Sequence, residues 1–122
     1  MRAIEDLLQR YFDALYFADA EAMEQILHPN AIYATADEAE PLFRNVPNYL
    51  TVLRGRVSPF KKGEERADKI ISIELAGENT ALARVECAIG ERHFIDFLSL
   101  LKIEQKWLII AKVFAISFEK EN

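Results

Sequence analysis

Cysteine is nearly absent from this chain. Cys87 is the single one in 122 residues, so no intramolecular disulfide can form. Its place in an apolar, strand-like run marks a buried, inert thiol in a reducing compartment. Positive charge is also in deficit. A formal net charge of −5 disfavours a nucleic-acid partner, because phosphate contacts need a basic face that releases counterions. The basic residues that do cluster, Arg54, Arg56, Lys61, Lys62 and Arg66, are diluted by Glu64 and Glu65 and flank a Pro/Gly loop, as in a solvated edge. No apolar run approaches the ~20 residues of a membrane span. Met1-Arg2-Ala3-Ile4-Glu5-Asp6 lacks the charged start and apolar stretch of a signal peptide. A cytoplasmic protein without a membrane partner is therefore expected.

Glycine is scarce too, and Gly55, Gly63, Gly77 and Gly90 all serve loops, which leaves no Gly-rich phosphate cradle and no serine in an elbow context. His28 and His93 lie far apart, without the i, i+4 partner or short carboxylate spacing of a zinc site. Neither a metal nor another cofactor is expected. His28, followed by Pro29, is placed to end a helix, and His93 follows a tight turn.

What the chain does have is apolar material. With 51% hydrophobic and 11% aromatic residues, residues 1–122 can build one core and read as a single domain. Ile4, Leu7, Leu8, Tyr11 and Leu15 recur at helical spacing, with Glu5, Asp6, Gln9, Arg10 and Asp13 opposite. Asp19 can cap a second helix, Ala20 to Leu27, which His28-Pro29-Asn30 stops. A short strand from Ala31 to Thr35 follows, then an acidic loop, Ala36 to Pro41. Asn45 and Pro47 start a third short helix carrying Val46, Tyr49, Leu50 and Leu53. Arg54 to Glu65 has no period and reads as the most mobile loop.

From Arg66 the pattern turns to strands: Asp68–Ala76, Thr80–Ile89 after Gly77-Glu78-Asn79, Arg92–Ile103 after Gly90-Glu91, and Trp107–Phe118. The expected fold class is α+β, with N-terminal helices packed on a strongly curved antiparallel sheet in the order helix, helix, strand, helix and four strands. The segments Phe94–Leu101 and Trp107–Phe114 are apolar on both alternations, which a half-solvated sheet would not be. Helices can cover one face only. A second copy of the chain on the outer sheet face, as in an isologous homodimer, is the expected cover.

The order of elements, together with the strand text Ala83-Arg84-Val85-Glu86, Phe94-Ile95-Asp96-Phe97-Leu98-Ser99-Leu100-Leu101-Lys102 and Trp107-Leu108-Ile109-Ile110-Ala111-Lys112-Val113-Phe114, resembles the nuclear transport factor 2-like superfamily of cone-shaped α+β barrels. The helical text Tyr16-Phe17-Ala18-Asp19 and Leu27-His28-Pro29-Asn30-Ala31 has the same look. The resemblance covers essentially the whole chain and points to the branch labelled "putative lumazine-binding" or SnoaL-like. A more distant resemblance is to ketosteroid isomerase, in which a tyrosine and a protonated aspartic acid donate hydrogen bonds to an oxyanion while another aspartate moves the proton. That resemblance places Tyr11 at the tyrosine and Asp96 at the neutral acid. The position of the base falls on Thr35, which has no accessible pKa for carrying a proton, so the isomerase mechanism does not transfer as it stands. Asp37 could substitute only if its loop bends inward.

Apart from any resemblance, Asp96 is the most unusual residue, a carboxylate in the middle of an apolar strand. Facing inward it would be desolvated unless a cation pairs with it. Lys112, alternating with Ile110 and Phe114 in the next strand, is the obvious cation, and the pair reads either as a structural ion pair or as a grip on a polar ligand group. Tyr11 lies on the buried stripe of the first helix; Tyr33 and Thr35 share one face of their strand. Arg84 and Glu86 share a face that the pattern does not assign, with a solvated cross-strand array favoured. The expected ligand-binding set is Tyr11, Tyr33, Thr35, Asp96, Lys112 and Phe114, around a planar pterin-like or polyketide-like small molecule. The alternatives are an isomerase or cyclase in which Asp96 and Tyr11 stabilise an enolate while Asp37 or His28 takes the proton, and a dimerisation module with a vestigial pocket.

Overall fold

The computed structural model describes residues 1–118. Helix α1 (Arg2–Tyr16) buries Ile4, Leu7, Leu8, Tyr11, Phe12, Ala14 and Leu15, the face that the helical spacing selects. A turn with Ala18 in the left-handed region leads to α2 (Ala20–Ile26), whose cap is the Asp19 carboxylate accepting from the Ala22 N–H at 3.0 Å. Helix α3 (Val46–Arg54) starts in the same way, with Asn45 accepting from the Asn48 N–H at 3.0 Å and Pro47 in its first turn.

Six strands form one sheet in the order β2-β1-β6-β5-β4-β3. They are β1 (Leu27–Thr35), β2 (Leu42–Arg44), β3 (Lys69–Ala76), β4 (Thr80–Ile89), β5 (Arg92–Ile103) and β6 (Lys106–Phe118). The expected meander β3 to β6 is present. Gly90, in the left-handed region, and Glu91 make the two-residue turn that pairs Ile89 with Arg92.

Three details differ from the expectation. The sheet is mixed, because β1 runs parallel to β6; some seventy residues separate the two strands, so no hairpin dictates their direction. Strand β1 begins at Leu27, directly after α2, and His28-Pro29-Asn30 lie inside it. Pro29 is tolerated because the ladder to β6 is irregular between Leu27 and Ile32, where no N–H from position 29 is required. Strand β2, three residues on the edge, is too short to show a period.

The segment after α3 is fastened to the end of α1. The Phe60 N–H donates to the Tyr16 carbonyl at 3.1 Å, and the Tyr16 hydroxyl donates to the Glu64 carbonyl at 2.7 Å. Arg66 pairs with Asp13 and Asp68 and lies over the Tyr16 ring. The core sits between α1, α2, α3 and the inner sheet face. There the small side chains Ala81 and Ala83 of β4 are both buried. Among the described residues no helix is long and apolar enough to cross a membrane.

Candidate functional site

Five elements converge on one small region of the inner face. Strand alternation turns Asp96 and Leu98 of β5, Lys112 and Phe114 of β6, and Tyr33 and Thr35 of β1 inward, and all six are buried. The register sets Asp96 opposite Phe114, Leu98 opposite Lys112, and Tyr33 beside Lys112. Helix α1 contributes Tyr11 and α3 contributes Tyr49.

Asp96 is 0% exposed and accepts a 2.6 Å hydrogen bond at Oδ2 from the Tyr11 hydroxyl. Its Oδ1 is buried without a partner. Lys112 lies on the same face, but no ion pair joins the two; the salt bridges among the described residues involve neither. The simple ion-pair reading is thereby corrected. The Lys112 ammonium instead sits 5.2 Å from the ring centres of Tyr11, Tyr33 and Phe114 and 5.4 Å from that of Tyr49. Each ring face is negative, so this box partly replaces the lost hydration of the cation.

The pKa shifts follow from burial. Desolvation, then the nearby Asp96 charge, hold the Tyr11 phenol well above its ordinary value. Tyr49 is raised by burial, with Lys112 opposing. Burial alone favours neutral Lys112, but Tyr49, Asp96 and Tyr33 outweigh it and hold the ammonium above the usual lysine range. Cys87 is half-buried rather than fully buried as expected; partial burial and the Asp96 charge still push its thiol up to about 12, so thiolate chemistry at neutral pH is disfavoured.

Tyr33 and Tyr49 stack with ring centres 4.6 Å apart, and Arg44 of the edge strand covers Tyr33 at 5.4 Å. Beneath them is a cavity of about 10 Å³ lined by Tyr11, Tyr33, Tyr49, Asn45, Lys112 and apolar neighbours. That is room for one water at most. The Tyr49 hydroxyl is buried there with no partner.

The structure thus brings together Tyr11, Tyr33, Asp96, Lys112 and Phe114. It commits the other candidates elsewhere. The Thr35 hydroxyl donates to the Phe114 carbonyl at 2.7 Å and accepts from the Asp37 N–H. The Asp37 carboxylate is not bent inward: it accepts from the Ile116 N–H at 2.9 Å, at the end of the parallel strand pair. His28 accepts at Nδ1 from the Asn30 N–H, and neither His28 nor Asp37 lines the cavity. Arg84 and Glu86 are on the outer face, 3.8 Å apart. Sequence reasoning missed Tyr49 as a site residue. The signal was available, since a tyrosine on an apolar helix stripe brings a hydroxyl that needs a partner. Among the described residues no acidic, histidine or cysteine cluster could hold a metal ion.

Three helices packed on one face of a six-stranded mixed sheet, around a small aromatic-lined cavity, are the architecture of the nuclear transport factor 2-like class. An NTF2-like protein of unknown function from Shewanella baltica OS155 matches with a TM-score of 0.85 at 23% identity, over 97% of this chain and 94% of that one. One from Methylobacillus flagellatus KT gives 0.83 at 24% identity, over 95% and 90%. A ketosteroid isomerase-like protein from Erwinia carotovora atroseptica SCRI1043 gives 0.73 at 13% identity, over 97% and 96%. Residues 1–115 match the family described as "Putative lumazine-binding", and the chain belongs to that family. Comparison with curated proteins gives no match.

Proposed function

We propose that the protein binds a small planar molecule between α1, α3 and the inner sheet face. The observation that carries this is the Tyr49 hydroxyl, buried without a partner at an aromatic-lined cavity. Buried polar groups in native proteins are almost always paired, so an orphaned donor at a cavity is a place prepared for a ligand or water atom. A cavity of about 10 Å³ admits no ring as it stands. The ligand therefore enters by parting the Tyr33–Tyr49 stack, whose two rings come from separate elements, β1 and α3, and can then flank it. A pterin-like or polyketide-like ring has the size and polar edge for this, and the description of the family supports the former.

Titration of the purified protein with a pterin, followed through its tyrosine ring NMR signals, tests the reading. Tyr33 and Tyr49 should shift, while Tyr16, held in a separate cluster with Phe17 and Phe60, should stay. Unmoved Tyr33 and Tyr49 signals across pterin and polyketide-type ligands would sink it. An isomerase or cyclase built on Tyr11 and Asp96 needs a proton carrier, and its two candidates, Asp37 and His28, are engaged with backbone N–H groups. The binding reading needs none.

The outer sheet face supports a homodimer. Phe97, 47% exposed, is opposite Val113, 46% exposed, with Leu82 exposed on the next strand. Apolar side chains of adjoining strands form a patch that a second copy would cover. Mass measurement in solution should give twice the chain mass, and Phe97→Glu should shift it to one. A wild-type protein of single-chain mass would remove the dimer.

A further inference from the structure

Lys112 is a buried cation that no direct ion pair holds among the described residues. It is 8% exposed, and no carboxylate of the described residues forms an ion pair with it. A desolvated ammonium is costly unless paired, and the four surrounding rings offer π faces rather than a formal negative charge. Asp96, the carboxylate on the same face, is bonded at Oδ2 by the Tyr11 hydroxyl and stands outside ion-pair distance. Lys112 and Tyr49 line the same cavity, and the Tyr49 hydroxyl lacks a partner. One residue of the cavity lining thus carries an ammonium and another a buried hydroxyl without a partner.

We propose that Lys112 and Tyr49 form a subsite for an anionic oxygen, so that the ligand of this pocket is a planar organic anion: a carboxylate, an enolate or a ring oxygen bearing negative charge. The inference rests on the binding function proposed for the pocket and narrows its ligand class. A neutral ring would leave the ammonium without a direct anionic contact, whereas an oxyanion would meet it in a medium of low dielectric, where attraction is strong. The hydroxyl of Tyr49 would add a charge-assisted hydrogen bond. The surrounding rings, two of which already stack on each other, suit a flat ligand body.

The test uses 2-naphthoate and its neutral counterpart 2-naphthamide, which share a ring system and differ in charge. Affinities are measured by calorimetry, and the binding place is read from the NMR signals of the Lys112 side chain and the Tyr33 ring. Wild-type protein should bind the naphthoate at least about tenfold more tightly than the amide. Lys112→Met should abolish that preference, Lys112→Arg should keep part of it, and Tyr49→Phe should reduce it. Should Lys112→Met fail to fold, Lys112→Arg and Tyr49→Phe carry the comparison. Equal binding of both probes, with the Tyr33 signal moving, overturns the anionic subsite and leaves the pocket in place. Binding of neither probe, with Tyr33 unmoved, counts against the pocket and removes the subsite with it.

Discussion

Tyr11→Phe should destabilise the protein by about 2–3 kcal/mol, because it leaves a fully buried carboxylate with no hydrogen bond at all. Asp96 Oδ1 already lacks a partner, and the 2.6 Å bond from Tyr11 is the one side-chain bond its other oxygen receives among the described residues. The loss exceeds that of an exposed hydrogen bond since no water replaces the hydroxyl at a residue that is 0% exposed. Urea unfolding should show a lower midpoint with an unchanged slope. The double variant Tyr11→Phe with Asp96→Leu should recover most of the loss, as replacing both partners of a buried polar pair by apolar groups leaves nothing unsatisfied. A single variant within about 0.5 kcal/mol of wild type would mean that Asp96 is satisfied some other way.

Above about pH 9 the fold should lose stability steeply. Cys87 rises from 9.0 to about 12 on folding, and Tyr11 and Tyr49 rise above 10.0. A group whose folded pKa is raised keeps its proton in the native state after the unfolded chain has released it. Its contribution is complete below the unfolded pKa and is lost as pH climbs towards the folded one. Each such group removes about 1.4 kcal/mol per pH unit within that window. For Cys87 alone the window from 9.0 to about 12 amounts to roughly 4 kcal/mol. The tyrosines join from 10.0, and Lys112, also raised, acts in the same direction above 10.5. Urea unfolding from about pH 8 to about pH 11 should show the decline, and Cys87→Ala should delay its onset by about one unit. A flat profile over that range would show that these groups are not buried as described.

The two predictions arise from different layers of the molecule. The first tests a single contact between a helix and a strand that are 85 positions apart in sequence. The second tests how dry the interior is, since desolvation is the largest cause for Tyr11, Tyr49 and Cys87 alike. Together they would establish how polar contacts and apolar packing share the interior around the cavity.

Local rules, read along the chain, determined the elements. The spacing of Ile4, Leu7, Leu8, Tyr11 and Leu15 gave α1 its buried face, Asp19 and Asn45 marked two helix starts, and Gly90 marked the turn between β4 and β5. These signals are legible because caps, turns and amphipathic faces are decided within a few residues. The same reading singled out Asp96 and Lys112, because a charge in an apolar strand is an anomaly visible without coordinates, while Tyr11 stood out through the resemblance to ketosteroid isomerase. What only the tertiary structure decided is how they are paired. Alternation put Asp96 and Lys112 on one face, yet Tyr11 took the carboxylate and four rings took the ammonium. Distances of a few ångströms between separate elements choose among partners, and those depend on strand register, on the parallel docking of β1 beside β6 and on the approach of α3. The same long-range docking brought Tyr49 over the cavity and turned Thr35 and Asp37 to the backbone of β6.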